Sequence, residues 1–480
     1  MRRDLVRIAV SVAAFVTLAG PGVDGQLIPI RTVPVASGDQ FRLAPAARMG
    51  MGGVRYALRD SLADGWSNPA RGRDLSSSLF LASPTFYGIS DAGGAGRSFP
   101  VTGLFAGSRW FGGASVALQQ VENDPSGGGN SLSDRLGRNL YVSGFIGTRL
   151  GDGPWAVGIG LSGASLQAMD GVDLLYAGSD RIEQSGRIVD IRLGLDRVGD
   201  TDRLGIALVN NRVSMEHDVT WTRWVQIDSI PGQWERTVEL NEDRTSSWAG
   251  QVMWERDLRA PGWRIGASAT VNRKSHPKIP NYVIQNIPRD PGTTWAWEAG
   301  FGIARTAEAT TFGLDIALQP IWSTTWQGAD SIDVANSGGR LNIGDRSIEN
   351  DFLFTNVMLR SGVSHRIDPV EFQLGLDIRS YGYELDQVNW VEATQRKQTE
   401  SWVEWSPTVG IIATLDALDI RYGLRVTNGT GRPGLAISFG PGDQLVGDGG
   451  SDFILAPGAP LTLQDARVTT HQITVSIPIR

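Results

Sequence analysis

Along most of this chain, apolar residues alternate strictly with polar or small ones, a pattern that only extended backbone presents. Trp155, Val157, Ile159 and Leu161 share one face, and Ala156, Gly158, Gly160 and Ser162 share the other. Val189, Ile191, Leu193 and Leu195 alternate with Asp190, Arg192, Gly194 and Asp196. The same rhythm sets Trp263, Ile265 and Ala267 against Arg264, Gly266 and Ser268, and Phe312, Leu314 and Ile316 against Gly313 and Asp315. It returns in Phe372, Leu374, Leu376 and Ile378 against Gln373, Gly375, Asp377 and Arg379, and in Ile420, Tyr422 and Leu424 against Arg421, Gly423 and Arg425. These stretches run for about 10–14 residues, nearer the ~9–11 that carry a tilted strand across a bilayer than the five or six of ordinary sheets. A polar face dense in glycine and opposite charges suits the crowded interior of a closed barrel. The expected fold is therefore all-β: an antiparallel transmembrane β-barrel, its segments counting roughly 14 to 16 strands within a range of 12–16.

The ends of the chain fit that fold. Arg2, Arg3 and Arg7 precede an apolar run from Ile8 to Ala19, followed by small residues, with Val23 and Gly25 placed for cleavage after residue 25. This reads as a signal peptide over 1–25, too short for a membrane span. The final stretch alternates Ile473, Val475, Ile477 and Ile479 with Gln472, Thr474, Ser476 and Pro478, as a closing strand would. Short connectors at 151–153, 199–201 and 259–262 alternate with long ones at 123–135, 166–185, 323–350 and 385–399. Short turns on one side and long loops on the other are usual for outer-membrane barrels. The span 211–247 reads as two strands continuing into a protruding hairpin. Residues 428–465 read as a long loop. The absence of cysteine leaves no disulfide framework or thiolate site. A net charge of −7 without a basic stripe argues against a nucleic-acid partner.

Residues 26–77 stand apart, with little strand signal. Within them Phe41 to Arg73 combines a glycine knot (Gly50, Gly52, Gly53) with Trp66-Ser67-Asn68-Pro69-Ala70. Asn68 reads as a helix N-cap, with Pro69 at the first helical position. This block resembles the N-terminal block of the FadL-type fatty-acid transporters and of the related PorV/PorQ barrels of the type IX secretion system. The matching residues are Leu43-Ala44-Pro45, Ala47-Arg48, Gly50-Met51-Gly52-Gly53, Ala57, Asp60 and Trp66 to Ala70. The resemblance covers only these residues. It implies a barrel of around 14 strands at the cell outer membrane, with 26–77 folded back as a plug inside a barrel formed by 78–480. It further implies passive passage of small hydrophobic molecules or, on the PorV-like branch, docking of exported proteins without small-molecule transport. The plug motif is then Gly50, Gly52, Gly53, Trp66, Asn68, Pro69 and Ala70. Partners would be outer-membrane lipid, a hydrophobic small molecule and exported or secretion proteins.

Other motifs lead elsewhere only on paper. Gly158-Ile159-Gly160-Leu161-Ser162-Gly163 has glycine spacing of the dinucleotide type but lies within an alternating strand, with no helix to follow. His217, His276, His365 and His471 are scattered without ligand spacing. The acids of Asp330-Ser331-Ile332-Asp333 lack the ligand series of a calcium loop. No catalytic residue, metal or cofactor is expected, and the chain is not read as an enzyme. Asp190, Arg192, Asp196, Asp315, Asp377, Arg379, Arg421 and Arg425 share the polar face and form the expected lumen wall. They would guide a permeant, grip the plug or merely satisfy one another.

Overall fold

The computed structural model describes residues 27–32, 34, 36, 38, 40, 43–90, 94–122, 136–169, 180–227, 230–275, 292–329, 332–334, 338–433 and 463–479. The expected signal peptide, His276, Asp330, Ser331 and much of 428–465 lie outside them. Alternation becomes one antiparallel sheet. Its first half comprises β1 (Ser78–Ala82), β2 (Thr85–Ile89), β3 (Ala95–Ala106), β4 (Trp110–Glu122), β5 (Leu136–Arg149), β6 (Trp155–Leu166), β7 (Arg181–Val198), β8 (Asp202–Ile227) and β9 (Ile230–Asp257). The second half comprises β10 (Trp263–Ser275), β11 (Gly292–Ala307), β12 (Thr310–Gly328), β15 (Arg346–Ile367), β16 (Val370–Asn389), β17 (Thr394–Thr414), β18 (Asp419–Pro433) and β19 (Leu463–Ile479). Between β12 and β15 a separate two-stranded ribbon pairs β13 (Asp333–Val334) with β14 (Arg340–Leu341).

The sheet closes where β19 pairs with β1, Ser78 opposite Ile479. β1 and β2 are successive pieces of one strand: Ala82 faces Val475 and Val101, Thr85 faces Gln472 and Ser98, and the register is unchanged between them. Pro84, which has no amide hydrogen to give, interrupts the ladder. Among the described residues the seventeen segments of the sheet thus make 16 barrel strands. This corrects the expected figure of about 14 to the upper end of the 12–16 range. The smaller number came with a resemblance confined to the N-terminal block, which does not specify a strand count. Residues 385–399, read as a loop, instead form the ends of β16 and β17, which turn at 390–393. Beyond Leu385 that hairpin is largely polar, so no alternation marked it. The 211–247 hairpin is present, with β8 and β9 paired out to Ile227 and Ile230.

The apolar face points outward. Leu193, Ile316 and Leu374 are 51, 51 and 59% exposed, whereas Asp190 and Arg192, neighbours of Leu193, are 0 and 2% exposed. A water-soluble sheet protein has the opposite arrangement, so this outer band needs lipid cover. Trp295 and Trp322, both exposed, are cross-strand partners on this surface and suit an interfacial aromatic belt. Among the described residues no helix is long and apolar enough to cross a membrane.

Candidate functional site: the N-terminal segment within the lumen

The described residues of the stretch before β1 contact inward-facing side chains of strands around the barrel, so they lie inside it. Among these described residues the regular structure is a 3-10 turn at Met49–Met51, a helical turn α1 (Asp64–Ser67) and a 3-10 helix at Pro69–Asp74. Asn68 caps the last of these. Its Oδ1 accepts from the Ala70 amide at 3.1 Å, and Pro69 holds the first position. The Asn68 Nδ2 donates to the carbonyls of Leu195 and Ile206 at 3.3 and 3.1 Å, so the cap also anchors to two wall strands. Trp66 is buried with its ring edge-on to Phe145, centroids 4.9 Å apart. Ala70 is fully buried in the same cluster.

Backbone meets backbone where the wall supplies glycine. A Cβ on Gly375 would overlap the Gly52 amide and the Met51 carbonyl carbon; one on Gly362 would overlap Met51; one on Gly158 would overlap Pro69. From the other side, Gly52 and Gly53 have φ of +67° and +73°, which a branched side chain would strain. Thr408 closes this contact, accepting from the Gly52 amide at 2.9 Å and donating to the Gly50 carbonyl at 3.0 Å. Gly313 and Gly375 both lie opposite Gly362 in adjacent ladders, and Gly410 lies opposite Gly423. The glycines of the polar face therefore form seats around the segment.

Charge fixes the rest. Arg71 Nη2 reaches Glu255 Oε1 at 2.5 Å, and Arg59 Nε reaches Glu255 Oε2 at 2.8 Å. Arg203 grips Asp196 at 2.8 and 3.0 Å and also pairs with Asp74. On the opposite wall Asp315 accepts from the amides of Arg55 and Tyr56 at 2.6 and 3.2 Å. Glu298 accepts from the Tyr56 hydroxyl at 2.9 Å, Arg55 at 3.0 Å and Gln319 at 2.7 Å. Within the segment, Asp60 accepts from the Ala47 amide at 2.9 Å, and Arg48 donates to the Arg59 carbonyl at 2.7 Å. Two motif stretches 11 or more residues apart are thereby tied together.

A cavity of about 340 Å³ remains between segment and wall. Leu43, Pro45, Met49, Val54 and Leu58 give it an apolar side. Arg360, Arg379, Asp377 and Arg425 line it opposite, with Asp377 shared by Arg379 at 2.8 Å and Arg360 at 3.6 Å.

The expected wall residues thus fall into distinct groups. Asp196 and Asp315 hold the segment. Asp190 pairs with Arg192 at 2.6 Å, and Arg192 also donates to the Trp66 carbonyl at 3.3 Å. Asp377, Arg379 and Arg425 line the cavity. Arg421 pairs with Asp419 at 3.3 Å and borders a separate small cleft beside Gly50 and Gly423. His217, His365 and His471 stand on β8, β15 and β19 and do not converge. The sequence reading missed Glu255, Glu298, Arg203 and Thr408 on the wall, and Arg55, Arg59 and Arg71 in the segment. Parity could have found two of them: Glu255 follows Trp254 and Glu298 follows Trp297, and a strand that turns its tryptophan outward turns the next residue inward.

Burial pushes the Asp64 carboxyl up to about 7, against the pull of Arg71 3.6 Å away. The docked segment therefore keeps a proton that a released, hydrated Asp64 surrenders above about pH 4. Support from that proton is complete below pH 4 and is lost as pH rises through 7. Leak of a small solute into liposomes holding the protein should accordingly rise between pH 5 and 8 and stay flat for Asp64→Asn. An equal slope in the variant would assign the effect to another group.

No family model matches the chain, and no curated protein sequence matches it. Among solved structures it is similar to a Pseudomonas aeruginosa FadL homologue, with 9% identity over 92% of this chain and 100% of that one and a TM-score of 0.47. The Ralstonia pickettii toluene transporter TbuX shows 11% identity, 92% and 100% coverage and a TM-score of 0.41. CdiB from Acinetobacter baumannii shows 10% identity and a TM-score of 0.41; 84% of this chain spans 60% of its length. At these scores the likeness says nothing of what the chain carries.

Proposed function

We propose that the chain is an outer-membrane barrel, FadL-like in working, through which small hydrophobic molecules pass, with residues 26–77 as its plug. The observation that carries this reading is the cavity between segment and wall. Its volume of about 340 Å³ fits a small ligand. Its apolar side would receive a hydrocarbon body, and the arginines that share Asp377 would meet an acidic head. The outer-membrane address rests on the outward apolar band and on the expected signal peptide. Passage would require the segment to shift, since seats and ion pairs hold it across the lumen.

A PorV/PorQ-like barrel that docks exported proteins is the second reading, and two observations favour it. The wall stays in register across the Ser83-Pro84 interruption, where Ser83 donates to the Pro100 carbonyl and Ile473 to the Pro84 carbonyl, both at 3.0 Å. The β8–β9 hairpin also presents Trp234, Val238 and Leu240 as exposed residues. Reconstitution in liposomes with a labelled fatty acid separates the two. Uptake clearly above that of protein-free liposomes is expected; equality with them would end the transport reading.

A further inference from the structure

Residues 27–32 are held in a different manner from the rest of the segment. Among the described glycines, none has an atom of residues 27–32 among its nearest neighbours. Instead, the Ile28 amide donates to Asn272 Oδ1 at 2.6 Å, and Lys274 donates its ammonium to the Ile28 carbonyl. Ile28 and Ile30, both fully buried, enter a wall pocket formed by Phe352, Phe354, Tyr383 and Leu385. One nitrogen of Arg31 reaches both Glu404 oxygens, at 2.7 and 2.6 Å, and its guanidinium lies 5.3 Å over the Tyr381 ring. Every one of these partners belongs to β10, β15, β16 or β17, so the wall alone builds the groove.

Main-chain capture combined with pockets for alternate side chains and a charged anchor is how extended peptides are recognised. We infer that this groove is a binding site for short extended peptides of the pattern apolar–any–apolar–basic, and that residues 27–32 are the ligand it carries in cis. The groove lies toward the long-loop ends of its strands, because Lys274 and Leu385 are close to the ends of β10 and β16. The glycine seats lie nearer the other end, since Gly266 and Gly423 are just inside the starts of β10 and β18. A competing peptide therefore displaces the arm and leaves residues 48–75 in place. Tethering gives the resident arm an effective concentration on the order of millimolar, so the intact chain largely excludes a competitor of micromolar affinity.

The test uses the chain without residues 26–32, folded in detergent and checked by heat-modifiable migration, with the fluorescent peptide Leu-Ile-Pro-Ile-Arg-Thr as probe. Saturable binding is expected, weaker by roughly tenfold or more in the intact chain. A peptide with Glu in place of its Arg should lose roughly tenfold or more and recover on the Glu404→Arg barrel. Should the shortened chain not fold, full-length Ile30→Asp/Arg31→Glu, whose arm no longer fits, replaces it as acceptor. No saturable binding to a folded acceptor, or equal binding of a scrambled peptide, overturns the inference. Because the readout is binding, loss of fatty-acid uptake has no bearing on it.

Discussion

Replacing Gly375 with valine is expected to drive residues 51–53 off the wall while the barrel still folds. The β16 backbone tolerates valine as any strand does. What it cannot accommodate is the segment, because the new Cβ would overlap main-chain atoms of Met51 and Gly52 rather than a movable side chain. Overpacking of this kind costs about 1–3 kcal/mol, which corresponds to a population shift of roughly 5- to 150-fold toward the displaced segment. Influx of a small polar solute into liposomes should rise accordingly, with heat-modifiable migration unchanged. Gly103→Val is the control, because a Cβ there meets no atom within 4 Å. Equal influx in both variants would mean that the seat does not hold the segment.

The second large effect comes from Glu255→Leu. Arg71 is 3% exposed, and its nearest other acids, Asp64 and Asp196, are 3.6 and 3.8 Å away. Removing one partner of a buried ion pair costs about 3–5 kcal/mol because the other charge stays behind. Trypsin cleavage within 59–73, when opening and reclosing are fast, tracks the open population and should accelerate by roughly 100-fold or more. Arg71→Met added to Glu255→Leu should restore part of the protection, since no unpaired guanidinium then remains at that position. Cleavage unchanged in the single variant would place the grip elsewhere, on Asp315 and Glu298.

The wall was legible because its signal is local. Leu193 beside Arg192, and Leu374 beside Gln373, report their faces by parity alone. Strand ends beyond the apolar band, such as 386–399, are largely polar and lose that signal. The segment was legible as a non-alternating block and, through Asn68-Pro69, as a capped turn. Its grip was not, because contacts such as Arg71 to Glu255 and Gly52 to Thr408 join residues 184 and 356 positions apart. The wall glycines were visible as a small, crowded face, but only the three-dimensional path of residues 49–70 explains why each position has no side chain.

Amide exchange of the protein in lipid nanodiscs tests most directly whether the lumen is filled by its own N-terminal segment. The amides of Gly52, Arg55, Tyr56 and Ala70, each bonded to a side-chain oxygen within the lumen, should exchange as slowly as those of β15 and β16. Complete exchange of these four within seconds, with the strands still protected, would contradict the account.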